Sequence, residues 1–186
     1  MRLVSFHGPD GLHVGTVTGD EVVDVTAARP DLPRDMSELL ALGDGALDAV
    51  RAADNPRLTL GDLRLTAPVP RPPKFLAIGL NYAAHVAESG MPRPDVQLWF
   101  NKQSTCVIGP GEPIHIPRAS SMVDYEGELG FVIGRRCRHV PAARASTQRT
   151  FCRHRLREPG RSSARWRSSR LLEWRGSGPD RRSPPR

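Results

Sequence analysis

The chain has 186 residues, 38% of them hydrophobic, and a formal net charge of +7, enough for one domain, or a small one plus a medium one, with a core. The charge is an average over two unlike regions: residues 1–143 carry 14 Lys and Arg against 17 Asp and Glu, whereas residues 144–186 carry 13 Arg, no Lys and 3 acids. All the excess basicity therefore lies in the tail. No run approaches the roughly twenty apolar residues of a membrane span, and no apolar stretch follows a basic start, so a cytosolic protein is expected. Cys106, Cys137 and Cys152 are odd in number and lack a CxxC pair. They suit reduced thiols better than a disulfide frame or a zinc site, and Cys106 and Cys137 are expected to be packing residues.

Residues 2–7 (RLVSFH), 12–19 (LHVGTVTG) and 21–27 (EVVDVTA) read as short strands separated by a Gly-Pro-Asp-Gly turn and a Gly19-Asp20 turn, because Gly and Asp supply the backbone angles that tight turns need. This predicts a small β-meander. Helical spacing of Leu, Ala and Val follows over residues 36–42 and 46–53, with Asp35 or Ser37 placed to cap the first helix. After LTLGDLRLT, the segment APVPRPP (67–73) holds four prolines in seven residues and predicts an extended connector. A ligand for a proline-binding domain is the competing reading. The expected organisation is thus an N-terminal β-rich domain over 1–66, a linker over 67–73, a second domain over 74–143 and an Arg/Ser/Pro/Gly-rich tail over 144–186.

Beyond the connector, KFLAIGLN reads as an apolar strand and YAAHVAES as a helical turn, with Asn81 able to cap its start and Gly90 its end. His85 and Glu88, three apart on that helix, share a face and can hydrogen-bond. A carboxylate on one ring nitrogen fixes the tautomer and makes the other nitrogen more basic, as a general base requires. Two solvated side chains on a short exposed helix are the alternative for such a pair. Phe100, Asn101 and Lys102 end a further strand, followed by a loop rich in Gly and Pro. Lys74 and Lys102 are the only lysines. His115 alternates with Ile114 and Ile116 and is expected to face solvent.

In VDYEGELGFVIG (123–134) a polar loop passes into an apolar strand. Side chains alternate in an extended chain, so Glu126 and Glu128 point the same way, with Asp124 behind them. Carboxylates gathered so repel unless a cation lies between them. Mg2+ or Mn2+ suits these oxygen donors, since no thiolate or imidazole stands beside them to favour zinc. Solvent-facing acids at a strand mouth are the competing reading.

The three segments KFLAIGLNYAAHVAESG, LWFNKQSTCVIGPGEPIHIP and VDYEGELGFVIGRRCRHVPAA, in that order over residues 74–143, resemble the fumarylacetoacetate hydrolase family. The resemblance implies a mainly β, α+β fold with short helices: a small N-terminal β domain, then the first part of a mixed β-sandwich or roll. It implies that Glu126 and Glu128 bind Mg2+ or Mn2+, that His85 is the base on a lid with Glu88 orienting it, and that Lys102 lies near the anionic end of the substrate. It implies a metal-dependent enzyme acting on an acylpyruvate or related dicarboxylate, by hydrolysis, decarboxylation or isomerisation in aromatic or organic acid catabolism, and usually a homodimer.

The resemblance stops near Ala143, so the family's pattern looks truncated there. Family members continue with further strands and an aspartate that completes the metal site; Glu158 falls near that distance but its setting does not match, and Asp180 stands too far along. The tail holds 27 Arg, Ser, Pro and Gly among 43 residues and no Val, Ile, Met or Tyr, so it is expected to be disordered. A reading-frame shift in a GC-rich gene would yield such a composition. The rival reading is a nucleic-acid-binding arm, in which Arg165, Trp166, Arg167 and Trp174 combine phosphate contacts with base stacking; no recognisable binding module supports it. A third reading is a folded, catalytically inactive fragment.

Overall fold

The computed structural model describes residues 1–115, 118, 119, 129–134, 136–145, 149–151, 172 and 173. Strands predominate and the helices are short. Packing divides the chain into two compact units, Met1–Val69 with Gly109 onward, and Pro70–Ile108.

The first unit is built on the meander. Strand β1 (Arg2–Gly8) pairs antiparallel with β2 (Gly11–Thr18), and β2 with β3 (Glu21–Asp24). The segment read as a third strand over 21–27 stops at Asp24, where helix α1 (Val25–Ala28) begins. The cause is local: the Asp24 side chain accepts a hydrogen bond from the Ala27 amide at 3.0 Å, and a side chain serving as N-cap turns the chain out of the ladder. Helix α2 (Met36–Ala41) starts at Asp35, whose carboxylate accepts from the amides of Ser37 and Glu38, as expected from the sequence. Helix α3 (Asp44–Ala52) follows, and β4 (Arg57–Thr59) returns to pair with β3. A short strand β9 (Leu172–Glu173) pairs with the outer side of β1, giving the order β4-β3-β2-β1-β9.

Alternation along β1 explains the core. Leu3 joins Val14, Val25, Met36, Leu39, Leu47 and Val50 in one cluster, while Val4 and Phe6, offset by one, join Val17, Val22 and Leu65 in another. Both faces of the central strands are therefore covered, which is why Leu3 to Phe6 form an unbroken buried run. Two buried polar groups are satisfied within this packing: Ser5 Oγ donates to the Pro68 carbonyl at 2.9 Å, and Thr26 Oγ1 accepts from the Val14 amide at 2.9 Å. Farther along, β7 (Phe131–Ile133) pairs with β8 (Arg149–Phe151), and α5 spans Ala142–Ala145.

The second unit is a hairpin, β5 (Phe75–Gly79) and β6 (Leu98–Lys102) paired from Phe75 with Lys102 to Gly79 with Leu98, joined by α4 (Ala83–Ser89) and a loop. Cys106 and Cys137, expected to pack inside, are both exposed thiols; Cys137 stands between Arg136 and Arg138, and Cys106 closes the polar run from Asn101 to Thr105. His115 is exposed, as expected. No helix among the described residues is long and apolar enough to cross a membrane.

The packing ranks two substitutions. Leu39→Ala empties a fully buried site and is expected to cost about 2–5 kcal/mol, whereas Asp35→Ala removes a cap and is expected to cost about 1 kcal/mol. Denaturant unfolding of the two variants checks the order; a cap variant as damaging as the core variant contradicts it.

Candidate functional site

The 83–89 helix carries two of the expected site residues, and its ends are set by backbone geometry more than by side chains. Gly90 closes it in the left-handed region, at φ 64°, as expected for a C-terminal glycine. The N-cap, however, is Tyr82, with no side-chain capping bond, and not Asn81. Asn81 stands one residue too early: an N-cap side chain must reach the amides two or three residues on, and Asn81 instead lines a cleft.

That cleft lies wholly within the second unit, with a volume of about 510 Å3, bordered by the end of β5, by Ala83 and Val86 of α4, and by residues 93–97. Asn81, Arg93, Asp95 and Gln97 give it polar lining. Residues 91–97 carried no expectation from the sequence. The available signal was the pair Pro92 and Pro94, which hold a short link extended and present the side chains between them.

His85 and Glu88 are both exposed on α4. Ala83 and Val86 border the cleft, whereas His85 and Glu88, two positions on from each and so well round the helix, do not. The i,i+3 spacing brings the imidazole and carboxylate onto one face, yet among the described residues neither makes a hydrogen bond or ion pair. Both side chains are in water, where a solvated pair gains little from joining. Lys102 ends β6 opposite Phe75, is half-buried, and lies with its Nζ 5.7 Å from the centroid of the Phe100 ring. An ammonium over an aromatic face is held weakly, by about 0.5–1 kcal/mol where exposed, and an anionic ligand could outbid that contact.

Glu126 and Glu128, with Asp124, lie outside the described residues. Among the described residues no group of three His, Cys, Asp or Glu could hold a metal ion. The donor chemistry of the proposed ligands is that of two carboxylates two residues apart, which suits a hard divalent cation.

Residues 74–148 match the family described as Fumarylacetoacetate (FAA) hydrolase C-terminal. A mitochondrial oxaloacetate tautomerase of Bos taurus is 38% identical over 152 residues, covering 78% of this chain and 48% of that protein. Among solved structures, maleylpyruvate hydrolase from Sphingobium sp. SYK-6, in complex with manganese(II) ion and pyruvate, superposes with a TM-score of 0.65 at 30% identity, covering 81% of this chain and 55% of that one. The 2-hydroxyhepta-2,4-diene-1,7-dioate isomerase of Mycobacterium marinum gives a TM-score of 0.57 at 26% identity, covering 81% and 51%. The chain spans about half the length of the curated relatives it matches.

Gly90 has open space around the position a Cβ would take, so Gly90→Ala adds no clash and only forces an L-residue into the left-handed region. The expected cost is about 1 kcal/mol, confined to α4. Amide exchange of residues 83–89 should accelerate about fivefold while β1 to β3 stay unchanged; acceleration spread over the whole chain contradicts this.

Proposed function

This chain belongs to the fumarylacetoacetate hydrolase family, and from that we propose divalent-metal-dependent hydrolysis, decarboxylation or isomerisation of a small acylpyruvate-like or 2-hydroxydienoate acid. The observation that carries this reading is the match over residues 74–148, which takes in His85, Glu88, Lys102, Glu126 and Glu128 together. The relatives' names describe a tautomerase, a hydrolase and an isomerase. These share one chemical demand, moving a proton or breaking a bond next to a carbonyl so that an enol or enolate is formed or consumed.

In this proposal Glu126 and Glu128 hold Mg2+ or Mn2+, which when bound supplies a positive charge that polarises the substrate carbonyl. His85 takes the proton of the attacking water through one ring nitrogen, while Glu88 holds the other nitrogen and stabilises the imidazolium that results. In hydrolysis the water oxygen bonds to the acyl carbon, the carbon-carbon bond breaks, and its electron pair passes to the neighbouring keto group before reprotonation. Lys102 binds the substrate carboxylate. The open His85 and Glu88 geometry supports a dyad that tightens only once substrate excludes water, since catalytic hydrogen bonds are often long before the complex forms. Cytosolic catabolism of aromatic or organic acids is the proposed setting, supported by two exposed thiols that suit a reducing compartment. A homodimer is the proposed assembly.

A folded but inactive portion of such an enzyme is the competing reading, favoured by the half-length coverage of the relatives. Two measurements separate the readings. Acylpyruvate hydrolysis in Mg2+ or Mn2+ should fall about 10²- to 10⁴-fold in His85→Ala. Metal at a hundred times its dissociation constant should stabilise the parent chain by about 2.7 kcal/mol and Glu126→Ala by much less. Equal nonzero rates for the parent and Glu126→Ala would refute the metal role, and a metal-dependent thermal shift without turnover would favour the inactive portion.

A further inference from the structure

His13, on β2, is buried with 5% of its surface exposed, and each of its ring nitrogens faces a carboxylate. Nδ1 is 2.8 Å from Asp24 Oδ2, and Nε2 is 2.6 Å from Asp10 Oδ1. A neutral imidazole carries one N–H, so it can satisfy only one of these acceptors and would turn a lone pair on the other. Two carboxylate contacts at such distances require protons on both nitrogens. The ring also lies 5.5 Å from the Phe6 ring, tilted by 53°, an arrangement that tolerates a cation.

We infer that the His13 imidazolium is a proton-dependent fastener that ties the turn between β1 and β2 to the body of the N-terminal unit, and that losing the proton frees the turn while the strands stay paired. The two ends of the fastener differ. The Asp24 side chain is 7% exposed, and its second oxygen is committed to the Ala27 amide, so it is held in place from two sides. The Asp10 side chain is 58% exposed and is otherwise held by Arg34, at 2.7 Å, itself half in solvent. On deprotonation the remaining N–H therefore stays on Nδ1, facing Asp24, and Asp10 leaves with Arg34 into water. Gly8 roofs the ring so closely that a Cβ there would fall 2.4 Å from His13 Cδ2, so the backbone at that point can rest on the ring only as glycine.

The charged and titratable groups facing His13 among the described residues are Asp10 from the turn, Asp24 from β3 and, through Asp10, Arg34 from the loop before α2. Burial lowers the basicity of His13, but hydrogen bonds to Asp10 and Asp24 and their charge outweigh it and hold the group above its ordinary 6.5. Hydrogen bonds from His13, then from Arg34, bring Asp10 down to about 2. A raised His13 contributes stability that is whole below pH 6.5 and is lost as pH climbs through its folded-state value. The depressed Asp10 contributes stability that is whole above its ordinary 3.8 and is lost as pH falls toward about 2. The turn is thus fastened from about pH 4 up to the His13 transition.

Side-chain nitrogen NMR of the full chain tests this, with His13→Gln identifying the resonance. The expected result is a midpoint above 6.5, an Nδ1–H tautomer after deprotonation, and protection of the Gly11 amide falling by up to about tenfold per pH unit between 6.5 and the midpoint and levelling off above it, while Val14 and Val17 keep theirs. Asp10→Asn, an isosteric change at an exposed site, should lower the midpoint and flatten the Gly11 response without unfolding the chain. A midpoint at or below 6.5, an Nε2–H tautomer, or an Asp10→Asn midpoint equal to the parent's overturns the inference.

Discussion

The Asp24 carboxylate is the point on which the N-terminal unit turns. One oxygen caps α1 and so ends the third strand; the other receives His13 from the neighbouring strand. Because the cap redirects the chain after Asp24, Val25 drops into the cluster with Leu3 and Val14 instead of continuing the ladder, and Thr26 reaches back to the Val14 amide. A buried carboxylate without partners would be costly. With both oxygens engaged, it specifies where the strand stops and which residues on either side are buried.

The second unit has no comparable anchor. A two-stranded hairpin with a seven-residue helix buries little, and isolated hairpins are marginal in water. Leu76 and Trp99 lie on one side of its pleat and Leu98 and Phe100 on the other, all largely exposed. Strands apolar on both sides belong inside a layered structure. This bears on the proposed dyad directly, because His85 and Glu88 stand on a helix that has no buried residue and no side-chain N-cap. Their side chains have no reason to pair until something displaces the water around them.

Much of the first unit was legible in the sequence. Period-two alternation set off by Gly-Pro-Asp-Gly and Gly19-Asp20 places β1, β2 and the start of β3, and Asp35 followed by an apolar periodic run announces α2. Residues 21–27 were misread because apolar alternation continues through Val25, and alternation alone does not reveal that an aspartate within it will cap a helix. His13 drew no notice for the same kind of reason: a polar residue in an alternating strand reads as solvent-facing, and its partners are contributed by a turn and by another strand. For the site, spacing placed His85 and Glu88 on one helix, which the structure has, while the metal-binding role proposed for Glu126 and Glu128, suggested by their spacing and strengthened by resemblance, concerns residues outside the described ones.

The His85 and Glu88 pair and the Glu126 and Glu128 pair illustrate why co-facial spacing alone does not determine chemistry. Period 3.6 puts His85 and Glu88 together, and period two does the same for carboxylates two apart in an extended chain. An imidazolium and a carboxylate attract, so the first pairing needs no third group. The second pair repels at neutral pH, and in a low-dielectric setting that repulsion grows. Such a pair either raises one carboxyl's affinity for a proton or recruits a cation. A divalent ion would relieve the repulsion and leave both groups ionised, so metal affinity and local stability should rise and fall together. The proposed catalyst thus joins a pair of opposite character, which needs no third group, to a pair of like charge, for which the proposal calls on a cation.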